Sequence, residues 1–224
     1  YLVSLSVIKG LDVFINNEYK KIILESLKHF QKEKGMEIFA WLIMTSQVDL
    51  VFRIVQGQNP ELLLADFKRF TGKAIVKAIE ENPIESRKEY LLGLFAKAGA
   101  KLANANKYQF WKEEDKPILF GDKKQCFQKI NLIHKNPVKA GIVDAPAKFK
   151  WSSHKGYLSA SEDWNWLYKT SLLSMMSKNR KKWLSSYKKF MRSKSDSFYS
   201  EMIERKRWPV SFGASEFVDW IKGT

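Results

Sequence analysis

The order of hydrophobic periodicities along this 224-residue chain predicts an α+β fold. Three observations carry the expectation. Residues 1–8 alternate between apolar and polar side chains, as a half-buried strand does. Two more strand-like runs, 36–44 and 48–55, are split by a short polar break. Two segments, 18–34 and 60–81, repeat apolar residues every three or four positions, which is the period of a helix. The order strand, helix, strand, strand, helix is that of an antiparallel sheet with helices on one face. A fourth strand would complete a ferredoxin-like (RRM-like) sheet.

Each element has a local reason. The opening Tyr1-Leu-Val-Ser-Leu-Ser-Val-Ile8 reads as a strand rather than a signal peptide. Asn16 or Asn17 caps the first helix, which buries Ile22, Ile23, Leu27 and Phe30 and ends at Gly35. Ala40 to Met44 is wholly apolar, and Thr45-Ser46-Gln47 is turn-prone. Val48, Leu50 and Phe52 then alternate with Gln47, Asp49 and Arg53, so Gln47 and Asp49 project together from the polar face of a central strand. Two such side chains can form the floor of an active site. Pro60 suits the start of the second helix, which turns Leu62, Leu63, Phe67, Phe70 and Ile75 inward.

Further on, helices are predicted over 85–98 and 123–134, with a loose loop from Ala100 to Lys107. Asn136-Pro137 is expected to close the second of these, because a residue before proline avoids the helical region. Tyr108–Trp111 and Pro117–Phe120 compete for the fourth strand. A boundary at 160–163 divides a domain of residues 1–160 from a basic helical C-terminal region, 164–224. That region carries helices over 165–176, 179–192 and 195–206, and a last short one from Ser215 to Lys222.

Charge is unevenly spread. Residues 1–120 hold 18 basic and 15 acidic side chains, whereas residues 121–224 hold 21 and 9. A basic half interleaved with aromatics points to a polyanion, and to nucleic acid above a membrane surface, because bases stack on aromatic faces. The single cysteine, Cys126, excludes an internal disulfide framework and any zinc site built on cysteines, and fits a reducing, cytoplasmic setting. No run of 18 apolar residues is present to span a bilayer.

Five stretches, in this order and spacing, carry a family resemblance: Phe39-Ala-Trp-Leu-Ile-Met44, Asp66-Phe-Lys-Arg-Phe-Thr71, Gln109-Phe-Trp111, Ile133-His-Lys-Asn-Pro-Val-Lys-Ala-Gly-Ile-Val143 and Trp151-Ser-Ser-His-Lys-Gly-Tyr157. Over residues 1–158 the chain resembles the single-tyrosine HUH transposases, in their REP-associated branch. The resemblance implies an enzyme that cuts single-stranded DNA beside a small hairpin. Two histidines on a central strand would hold a divalent metal that polarises the scissile phosphate, and a helical tyrosine would attack it.

This chain departs from that pattern at all three positions. Gln47 and Asp49 stand where the resemblance implies the ligating histidines, and Leu132 where it implies the tyrosine. Asp49 and Gln47 offer oxygen atoms to Mg²⁺ or Mn²⁺, so a residual site stays open as a reading, although no cofactor is required. Leucine offers no nucleophile. The expected protein is therefore transposase-like and DNA-binding, without cleavage. It would recognise single-stranded or hairpin DNA, as a monomer or homodimer and away from membranes.

Expected contacts are Lys68, Arg69 and Lys73 on the second helix, His134, Lys135, Asn136 and Lys139 in the retained segment, and His154. Arg180, Lys181, Lys182, Lys188 and Lys189 add the tail's contribution. Two alternatives remain. One is an active nicking enzyme that uses Asp49, Gln47 and another tyrosine, Tyr108 or Tyr157. The other is a subunit that binds protein.

Overall fold

In the computed structural model, residues 1–55, 57–102, 107–120 and 123–193 are described. The helices expected at 195–206 and from Ser215 to Lys222 lie outside them. Three antiparallel strands, β1 (Leu2–Ser6), β2 (Met36–Ile43) and β3 (Gln47–Ile54), form a sheet in the order β1-β3-β2. Both segments proposed for a fourth strand run along the open edge of β1, but only as isolated bridges at Ile118 and Trp111. Between them the chain bulges away, and buried Asp115 accepts the Ser6 backbone N–H at 2.5 Å.

Helices α1 (Asn17–Glu33) and α2 (Pro60–Glu81) begin where their caps predict. Asn16 accepts the Glu18 N–H, and Asn59 accepts those of Glu61 and Leu62. The two helices pack through an edge-to-face pair, Phe30 on Phe67, with ring centroids 5.1 Å apart. After α3 (Lys88–Gly99), helix α4 (Lys123–Lys139) crosses β2 and β3.

Two expectations fail at α4. First, the helix does not stop at Asn136-Pro137. Proline in the last turn removes one backbone donor and leaves the rest of the turn intact. Helix α4 instead runs on to Lys139, and the chain turns out of it at Gly141, whose φ of +70° suits glycine. The Gly141 N–H reaches the Val138 carbonyl and the Ile142 N–H the Pro137 carbonyl, at 3.0 Å each. Second, helices do not occupy one face only. Gln47 through Phe52 are all buried, so both faces of β3 are covered. Helix α4 lies on the face that carries Gln47 and Asp49, and α1 and α2 on the other.

The part of the basic tail that is described folds against this body. Helices α5 (His154–Leu158), α6 (Lys169–Met176) and α7 (Trp183–Arg192) follow α4. The outer edge of β2 is closed by the Ser153 N–H on the Trp41 carbonyl at 2.9 Å and the Tyr168 N–H on the Ile38 carbonyl at 3.0 Å. Trp164 and Trp166 stack on buried Trp41. Gly156 makes this approach feasible, since a Cβ there would stand 2.4 Å from the Trp164 ring. Gly156→Ala should displace Trp164 and cost about 1–3 kcal/mol, as overpacking does. Denaturant unfolding checks the cost, and an unchanged midpoint would show that Trp164 is not held against the sheet.

Candidate nucleic-acid site

The polar pair on β3 comes first, because it stands where the sequence places a catalytic floor. Gln47 and Asp49 are 7% and 1% exposed, so the polar face of β3 is covered and does not meet solvent. A carboxylate under a helix needs hydrogen-bond donors. Gln47 Nε2 donates to Asp49 Oδ1 at 2.7 Å, and Asn136 Nδ2, from α4, reaches Asp49 Oδ2 at 3.5 Å. Gln47 thus turns its amide nitrogen toward Asp49.

This arrangement does not fit a divalent ion. Two amide nitrogens already face the one carboxylate, and no group of three or more His, Cys, Asp or Glu that could hold a metal occurs among the described residues. Leu132, 3% exposed, lies on the same face of α4 as Asn136, one turn away. Gln47, Asp49 and Leu132 thus share one layer, and that layer is closed by side-chain packing and hydrogen bonds.

His134, His154 and Asn136 lie inside the fold, where nucleic acid does not reach. The two histidines meet a residue that sequence reasoning did not connect to them, Tyr187 of α7. Ser153 Oγ accepts the Trp41 N–H at 2.9 Å and donates to the Trp41 carbonyl at 3.2 Å. Its only proton is committed, so it accepts from His134 Nε2 at 2.7 Å. His134 Nδ1 then accepts the Tyr187 hydroxyl at 2.8 Å, and Tyr187 accepts from His154 Nδ1 at 2.7 Å. Tyr187 also stacks on Tyr157, with centroids 4.7 Å apart.

Burial sets the protonation of this cluster. It lowers His134 well below its ordinary 6.5, helped by neighbouring His154, and lowers His154 to about 4. It raises Tyr157 and Tyr187 well above 10, so neither hydroxyl is poised as a nucleophile. Cys126 is likewise pushed up to about 11 by burial. A signal for Tyr187 was present in the sequence. Trp183, Tyr187 and Met191 recur every four residues, an apolar stripe along the basic helix.

The basic residues divide between two surfaces. Lys135 Nζ donates to the Ser193 carbonyl at 2.5 Å, and Asn131 Nδ2 to the Phe190 carbonyl at 3.1 Å. These ties bring α4 and the end of α7 together. Lys139, Lys188, Lys189 and Arg192 are exposed on these two helices, as are Arg180, Lys181 and Lys182 at the start of α7. Residues 164–193 contain eight basic side chains and no acidic one. The second surface is the outer ridge of α2, where Arg69, Lys73 and Lys77 are exposed at four-residue spacing. Arg69 is paired with Asp66 at 2.5 Å, and Lys68 ties α2 to the Glu113 and Asp115 carbonyls at 3.3 and 3.4 Å.

The fold is similar to a solved structure described as a REP-associated tyrosine transposase bound to a REP hairpin. The TM-score is 0.51 at 13% identity, over 71% of this chain and 78% of that one. No family model and no curated protein matches. Identity this low shows a shared fold. No helix among the described residues is long and apolar enough to cross a membrane.

The His–Tyr cluster has a pH signature. In the unfolded chain both histidines titrate near 6.5, whereas in the fold both stay neutral to lower pH. Below 6.5 the unfolded state therefore binds more protons, and stability falls as pH drops toward about 4. Urea midpoints should decline over that window, and less steeply in His154→Gln. A flat profile would contradict the buried neutral pair.

Proposed function

We propose that this protein is a transposase-like DNA-binding protein that recognises single-stranded or hairpin DNA and does not cut it. The observation that carries the reading is the closed layer of Gln47, Asp49, Asn136 and Leu132. The place where the resemblance puts metal and nucleophile is filled by a hydrogen-bonded amide–carboxylate cluster and an aliphatic side chain. Cationic side chains are meanwhile displayed nearby on the same side of the sheet, on α4 and α7.

The sheet order supports the ferredoxin-like assignment, because residues 108–120 bridge to the edge of β1 where a fourth strand would lie. The neighbouring fold comes from a protein described with a DNA hairpin, which favours nucleic acid over other polyanions as the partner. Phosphate contacts need only a charged face, and Lys139 with the α7 cations provides one. Against the alternative of an active nicking enzyme, the two tyrosines expected to serve it are both engaged within the fold. Tyr157 is buried with its hydroxyl on the Phe39 carbonyl at 2.6 Å. Tyr108 is engaged with Glu80, beside α2 on the opposite side of the sheet.

Equilibrium binding tests the proposal. A labelled DNA hairpin with a single-stranded flank should bind more tightly than the same sequence as plain duplex, across a salt series with Mg²⁺ present. Lys135→Ala with Lys139→Ala should weaken binding and flatten the salt slope by about 1.8, at roughly 0.9 per lost phosphate contact. Equal affinity for both forms, or a protein-linked nicked strand on a denaturing gel, would overturn it.

A further inference from the structure

On the side of the sheet away from α4, a groove of about 800 Å³ runs between α2 and residues 107–113. That volume is within the usual range of binding clefts, roughly 300–1,000 Å³. Its two walls are fixed. Trp111 Nε1 donates to Thr71 Oγ1 at 2.9 Å, and Gly72 lets the helix approach the Phe110 side chain, where a Cβ would stand 3.2 Å away. Val76, Phe110 and Trp111 make the floor apolar. Lys68, Arg69, Lys73, Lys77, Lys107 and Lys112 line the walls, against two acidic residues, Glu80 and Glu113.

Several of those charges are already used. Arg69 is held by Asp66, Lys77 lies 3.6 Å from Glu81, and Lys107 lies 3.5 Å from Glu80. Lys73 and Lys112, on opposite walls, form no ion pair among the described residues. Half-buried Tyr108 is the ring at the groove's side. Its hydroxyl donates to Glu80 at 2.9 Å, and Lys107 hovers 4.8 Å over its face.

We propose that this groove holds a single strand of nucleic acid, with phosphates on Lys73 and Lys112 and a base on Tyr108. The inference rests on the nucleic-acid reading above and adds a second surface to it, on the opposite side of the sheet. Charge complementarity selects a polyanion. The cleft's size admits a few nucleotides of one strand and not a duplex. The exposed lysine over Tyr108 is the part that yields: a base takes its place on the ring, and the ammonium moves to a phosphate. The protein then grips two segments of DNA at once, one on each side of its sheet.

The test uses a short oligothymidylate carrying 5-bromodeoxyuridine. Irradiation of its complex with the full chain should give an adduct at Tyr108, located by peptide mass spectrometry. Lys73→Glu with Lys112→Glu should lower oligothymidylate affinity at least tenfold and flatten the salt slope by about 1.4, at roughly 0.7 per contact on single strands. The adduct should survive in the Lys135→Ala, Lys139→Ala variant. An adduct mapped elsewhere, or an affinity unchanged by the double charge reversal, would overturn the groove assignment. Hairpin binding without oligothymidylate binding would sink the groove alone, whereas failure to bind either would sink the DNA-binding reading with it.

Discussion

A carboxylate buried beneath a helix constrains everything around it. Asp49 is 1% exposed in the middle of the sheet, and its oxygens must be met by donors because water does not reach them. Gln47 meets one from the same strand, and Asn136 approaches the other from α4. The second contact ties α4 to the middle of the sheet. Once α4 is set, Leu132 is directed into the same layer and His134 toward Ser153. The tail helix α7 then follows, since the Tyr187 hydroxyl meets both histidines. Local polarity on one strand is thereby linked to the docking of a helix more than 130 residues later.

The distribution of charge follows from this packing. Because α7 spends its apolar stripe on the His–Tyr cluster, its lysines are left on the outside next to α4. On the other side of the sheet, α2 buries Phe67, Thr71 and Ile75 and turns Arg69, Lys73 and Lys77 outward. The net charge of +15 is therefore not a diffuse solubilising coat. Much of it is sorted onto two faces separated by the sheet, with a buried, internally hydrogen-bonded layer beneath one of them.

Much of the fold was legible in the sequence, and the reasons are local. Asn16 and Asn59 cap their helices because the donors they meet are two or three residues away. The alternation in β3 correctly paired Gln47 with Asp49. What alternation does not reveal is whether the polar face meets water or another element, and here a helix some eighty residues downstream covers it. Pro137 misled for a related reason: its effect depends on where in the last turn it falls, and the chain turns out of the helix only at Gly141. His134 and His154 read as surface contacts because their partner, Tyr187, is distant in the chain. The two lysine-rich patches were visible as composition, but their division between opposite sides was not, since sidedness is a property of packing.

The central claim is that internal hydrogen bonds, and not a metal ion, hold the Gln47–Asp49 layer together. Titration of Mn²⁺ followed by electron paramagnetic resonance tests it most directly. The free-ion signal should fall no faster with wild-type protein than with Asp49→Asn, because neither offers a site there. Stoichiometric Mn²⁺ binding by the wild type that Asp49→Asn abolishes would contradict the account, and would return this layer to metal-dependent chemistry.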